Sequence, residues 1–266
     1  MSPKNFMTIA IVLFASSVAL EINVLAGVMS LGETSYHSIH IALMATLAAS
    51  QFALYFYGKQ RGVQHKAALL FGIGLCLTGT GDFVNGAISG IEPVSLKLTW
   101  AMLLFGLGYI GYCVALWTYN SPILRSDTGT FARFRYLVAI PFLVLNVGAW
   151  LMHVEPNFAD TGVLYYGSFV FNATIYVVMP MLGVWYYHNT GRSVGGLIVL
   201  LGTLFLPFSD LVLFSSWLRD GDPAVATAAL YAYNWIVYFG GQILVGMFPA
   251  QIIDAELSDE VISVGA

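Results

Sequence analysis

Two carboxylates stand where hydrocarbon is expected. Asp82 interrupts the apolar run 67–90, and Asp210 interrupts a second, 201–217, at a similar depth. An acid at the centre of a bilayer costs about 2.5 to 3.5 kcal/mol on insertion scales, so it persists only where it faces a bundle interior or a wet cavity. Two carboxyl groups meeting in such a cavity suit general acid–base chemistry, one delivering a proton while the other steadies a cation or activates water. Mid-membrane carboxylates equally mark ion pathways. Glu21 is a third acid, in the run 6–29. Each acid lies roughly 15 residues into its expected helix, which for Asp210 begins near 194, and at about 1.5 Å per residue this puts all three on one level. His37 and His40 are one helical turn apart, a spacing that can hold zinc. No third ligand follows at a suitable interval, so neither a metal nor another cofactor is expected.

Polar residues recur around these acids at helical period. Gly74, Thr78, Asp82, Asn85 and Ser89 form one stripe, and Tyr231, Asn234, Tyr238 and Gln242 form another. Shorter stripes are Asn172 with Tyr176, and Asn146 with Trp150 and His153. Asp82 and Asp210 are therefore the catalytic candidates. Glu21, Asn85, Asn172, Tyr176, Ser209, Tyr231, Asn234, Tyr238 and Gln242 are the candidates for binding substrate. The plainer use of such residues is to bond helices together within lipid. Pro207 frees the carbonyl of Thr203 and is expected to open polar backbone toward the cavity. Gly202, Ser209 and Ser216 form a strip on which a neighbouring helix can approach. Tyr109 and Tyr112 fall nearer the cytoplasmic side, away from the aspartates.

The elements that must carry these residues follow from composition. Of 266 residues, 58% are hydrophobic and 9% charged, with a mean hydropathy of +0.79, whereas an ordinary soluble domain is about a quarter charged. Continuous apolar runs, not alternating ones, exclude a barrel and predict an all-α polytopic bundle. Eight spans are expected near 6–29, 38–57, 67–90, 98–119, 136–153, 163–187, 194–218 and 225–248. The first outruns a secretory signal core. One transmembrane domain, 1–250, would then be followed by a short acidic tail, 251–266, expected to be disordered. Lys4, Lys59, Arg61, Lys66, Arg125, Arg133, Arg135 and Arg192 fall at the amino terminus or in alternate loops. Against those eight stand Lys97 and Arg219, which places both termini in the cytoplasm. The opposite loops hold Glu33, Glu92, Glu155, Asp160, Asp220 and Asp222. The net charge of −4 leaves no footprint for nucleic acid, and Cys76 and Cys113, both inside apolar runs, read as small buried hydrophobes.

Four motifs in order carry a resemblance: Gly81–Asp82 in the third span, Phe105 with Tyr112 in the fourth, Gly202 with Phe208, Ser209 and Asp210 in the seventh, and Tyr238 with Gln242 in the eighth. Over residues 65–248 they resemble the lysoplasmalogenase family, the YhhN-like membrane proteins. The resemblance implies an eight-helix, multi-pass enzyme of a bacterial inner membrane. Its expected action is to cleave the vinyl-ether bond of a lysophospholipid drawn from the bilayer, releasing a fatty aldehyde and a glycerophospho-base. The competing readings are a carboxylate-based, proton-coupled transporter and a lipid-binding protein without catalysis. A retinal protein is excluded, because a Schiff base needs a buried lysine and every lysine here lies in a loop, at a terminus or at a span edge.

Overall fold

In lipid the backbone has no partner outside its own turn, so long apolar runs coil into helices. The computed structural model describes residues 1–86, 89–157, 162–217 and 228–264, with backbone only at 94, 157, 216, 217, 228, 229 and 259–264. Asp160, Arg219, Asp220 and Asp222, which entered the charge asymmetry, and the side chain of Ser216 lie outside the described residues. Among the described residues, ten α-helices form eight spans long and apolar enough to cross a membrane. They are α1 (Pro3–Leu25), α2 (Glu33–Arg61), α3 (Lys66–Asn85), α4 (Val94–Ser126), α5 (Thr130–Phe134), α6 (Ala139–His153), α7 (Val163–Ala173), α8 (Ile175–Asn189), α9 (Val194–Trp217) and α10 (Ala228–Val264). The fifth span joins α5 and α6 through a 3-10 turn, and the sixth joins α7 and α8 at Thr174, whose backbone leaves the helical region (φ −125, ψ −76).

Neighbours run α1, α2, α3, α4, α8, α9, α10 and back to α1. The last helix also reaches inward to α2 and α3, making it the central post: 78% of its apolar window is buried, against 6% for the fifth span, which packs on the outside. Phe239, Ile243, Val245 and Phe248 of α10 are all nearly or fully buried. Two crossings are close enough to require glycine. A Cβ on Gly74 would stand 2.9 Å from the carbonyl oxygen of Gly108, so α3 and α4 touch backbone to backbone, and a Cβ on Gly202 would collide with the backbone nitrogen of Val245, drawing α9 onto α10.

Prolines inside the spans leave carbonyls without their helical donors, and a side chain from another helix can take one up. Pro180 cannot donate to Tyr176, and the amide of Asn146 donates to that carbonyl instead at 3.0 Å. The fully buried Gln51 donates to the carbonyl of Gly246 at 2.7 Å and so ties α2 to α10; the carbonyl that Pro249 leaves without its helical donor is that of Val245. Pro207 differs from expectation: it faces a second, mostly apolar cleft between α6, α8 and α9, together with Phe142, Leu204 and Phe208, and not the aspartate cavity.

Several boundaries also differ: the second and fourth spans run longer than expected, to Arg61 and Ser126, and two other ends bear on the site and the core. The third span ends at Asn85, because Gly86 turns the chain out of the helix while its N–H still bonds to the carbonyl of Asp82 at 2.8 Å. The expected disordered tail is instead the end of α10, which continues to Val264. Ile252 and Ile253 are buried, Gln251 accepts from Tyr186 at 2.9 Å, and Glu256 accepts from the backbone of Gln64 at 2.7 Å. The helix persists past the apolar window because its inner face still has α2 and α8 to pack against.

Candidate functional site

Gly86 has a direct effect on the chemistry. By ending α3 it leaves Asp82 in the last turn, deep in the bundle but with part of its surface open to a cavity. Asp210, mid-way along α9, reaches the same cavity and is almost fully buried. Each carboxylate is anchored by a phenol from another helix. Tyr238 of α10 donates to Asp82 Oδ2 at 3.0 Å, and Tyr176 of α8 donates to Asp210 Oδ2 at 2.5 Å. Tyr176 opens α8 just after the break at Thr174, and Asn146 holds its carbonyl, so this phenol is fixed at both ends.

The cavity has a volume of about 90 Å³. Asn85, Tyr231, Asn234 and Tyr238 share its wall with the two aspartates, as do Tyr36, His37, His40, Phe105, Leu213 and Trp235. Other candidates stand behind that wall. Asn172 is buried in α7, donating to the carbonyl of Ser168 at 2.8 Å, and Ser209 donates to the carbonyl of Leu206 at 3.1 Å. Gln242 accepts from Tyr112 at 2.7 Å, leaving its amide nitrogen without a partner among the described residues.

Tyr109 and Tyr112 correct the expectation that they sit apart from the acids. Tyr109 is fully buried beside Asp210, Tyr176 and Tyr238, though its hydroxyl is not at hydrogen-bonding geometry to any of them. Tyr112 lies near Asp82 and Tyr238. The fourth helix crosses α3 so closely at Gly74 and Gly108 that its phenols reach the level of the aspartates.

Glu21 is the most informative displacement. It does not line the cavity; its carboxylate is fully buried behind the wall, accepting from Tyr36 at 2.5 Å and from His40 Nε2 at 2.7 Å. The imidazole of His40 stacks on Trp235 with centroids 3.8 Å apart and planes 6° from parallel, and the indole N–H donates to Ser17 on α1 at 2.8 Å. Tyr36 and Trp235 were not among the candidates read from sequence. The signal available was Tyr36, His37 and His40 within one and a half turns at the level of Glu21. The pair His37 and His40 does not converge as metal ligands: His37 Nδ1 turns to the carbonyl of Glu33, 3.0 Å away, and His40 turns to Glu21.

Fold and cavity together define a polytopic helical membrane protein with a carboxylate-lined chamber between α2, α3, α9 and α10. The chain belongs to the YhhN family, which it matches over residues 36–247. No curated protein and no solved structure matches it.

Proposed function

We propose that this chain is a membrane hydrolase of lysoplasmalogen-type lipids, with Asp82 and Asp210 as its acid and base. One observation carries the reading: the two carboxyl groups, from helices far apart in sequence, open on one cavity and are each held by a tyrosine of a third helix. Membership of the YhhN family supports it.

A vinyl ether is cleaved by adding a proton to the carbon remote from oxygen, which makes the adjacent carbon an oxocarbenium centre. Water then adds to that centre and gives up a proton. The resulting hemiacetal breaks its bond to the glycerol oxygen, which takes a proton, and the fatty aldehyde leaves. One carboxyl group supplies the first proton; the other, as carboxylate, faces the cation and receives the proton of the water. Tyr176 and Tyr238 hold the two groups in place, and the apolar walls Phe105 and Leu213 keep bulk water from competing. Asn85 and Asn234 are placed to orient the water or the ether oxygen.

The test is aldehyde release from purified protein given lysoplasmalogen or an ordinary lysophospholipid, read by mass spectrometry. Asp82→Asn and Asp210→Asn are each expected to lower turnover by roughly a hundredfold or more while the protein still inserts. Undiminished turnover in either variant removes the carboxylate pair. Cleavage of the ester and not the alkenyl ether keeps a hydrolase but discards this chemistry.

A further inference from the structure

Carboxylates accept hydrogen bonds and do not donate them, so the nitrogen of His40 that faces Glu21 carries the ring hydrogen. In a neutral imidazole the other nitrogen, Nδ1, is then an acceptor. Glu21 holds this tautomer from a fully buried position, and Trp235 clamps the ring plane by stacking, so His40 presents a fixed acceptor on the cavity wall. Nδ1 has no hydrogen-bond partner among the described residues. The side-chain oxygen of Asn234 is also without a partner among the described residues, but it is sealed from the cavity, which leaves His40 Nδ1 as the neutral acceptor that faces a ligand. Among the described residues, no lysine or arginine lines the cavity. A wall that offers a neutral acceptor and lacks fixed positive charge is built for a neutral O–H donor, not for a phosphate.

We propose that His40, positioned by Glu21, binds the free sn-2 hydroxyl of a lysolipid and selects lysolipids over lipids substituted at that position. This rests on the cavity receiving a lysoplasmalogen. Glu21 lies on α1, before the matched residues 36–247, so the selection device is assembled partly from a helix that the family match does not cover. Its logic is that of any site committed to one hydroxyl: a ligand without it leaves a buried acceptor unpaired.

The experiment compares lysoplasmalogen with its sn-2-deoxy and sn-2-keto analogues. Wild type is expected to prefer the hydroxyl ligand in kcat/KM by about tenfold or more over both analogues, the keto oxygen being unable to donate. His40→Phe keeps a ring on Trp235 but has no nitrogen, and its preference over the deoxy analogue should fall to about one; His40→Ala is the second variant should the first fail to fold. In Glu21→Gln the amide donates to Nε2 and moves the ring hydrogen to Nδ1, so the keto analogue should gain on the deoxy one, a change that loosened packing alone would not produce.

An unchanged hydroxyl preference in the His40 variants, or none in wild type, overturns the proposal. An unchanged keto-to-deoxy ratio in Glu21→Gln overturns the part played by Glu21. If wild type releases no aldehyde, the hydrolase reading fails by itself. The same ratios are then read as dissociation constants from Trp235 fluorescence, taken as the difference from Trp235→Phe, and equal binding of the ligands, or binding of none, overturns the selection.

Discussion

Neither aspartate is held by its own helix, and that makes their supports separable from the acids themselves. Tyr176→Phe removes the O–H that Asp210 Oδ2 accepts without altering the ring packed behind it. A hydrogen bond to a charged group is worth about 1.5 to 3 kcal/mol of stability, so the melting temperature in detergent should fall by several degrees, and kcat for aldehyde release should drop roughly ten- to hundredfold in the protein that remains folded. A full loss of folding in Tyr176→Phe would show the phenol to be structural. Asp82 and Asp210 were legible in the sequence because a charged group inside a twenty-residue apolar run is costly enough to need a reason. Tyr36 and Trp235 were not, because amphipathic aromatics at span ends are ordinary and only the rotation of α2 against α1 and α10 brings them to Glu21 and His40. Tyr109 was misplaced for a related reason: depth counted along one helix ignores the tilt that a glycine crossing imposes on the next.

At the level of elements, the cavity depends on close helix crossings more than on any one side chain. Gly202→Val puts two methyl groups where the backbone of Val245 already stands, and α9 must back away from α10. Overpacking of this kind costs about 1 to 3 kcal/mol, and here it should also separate Asp210 from Asp82. The variant is expected to melt earlier and to lose activity together, whereas an active, equally stable Gly202→Val would deny that this crossing sets the site. The end of α10 makes a second case. Ile253 is fully buried and rests over Gly58 of α2, so Ile253→Ala should cost about 2 to 5 kcal/mol, seen as a lowered unfolding midpoint; a solvated tail would show no change. The number and order of the spans were readable from hydropathy alone; their ends, and the division of the fifth and sixth into two helices each, were not. The last turns of α10 were not, since their sequence is acidic and polar on one face, and only the partner surfaces on α2 and α8 reveal that the other face is core.

For the whole molecule, the eight spans among the described residues lead us to expect both termini on the same side, and the excess of lysine and arginine in alternate loops predicts that side to be the cytoplasm. In a background lacking Cys76 and Cys113, cysteines at Ser2 and Ser258 should react with an impermeant maleimide only from the cytoplasmic face, and a cysteine at Ser30 only from the other. Labelling of Ser30 and Ser258 from one face would break the topology. The placement of the anchoring phenols has a consequence for biogenesis. Asp82 waits on Tyr238, which is translated more than a hundred residues later, and Asp210 looks back to Tyr176, so no early fragment of the nascent chain contains both acids in their working setting. For the hydrolase proposed above, a ribosome halted before the final helix would leave an inserted but inert product, and reactivity toward membrane lipids would switch on only at the last docking event of assembly.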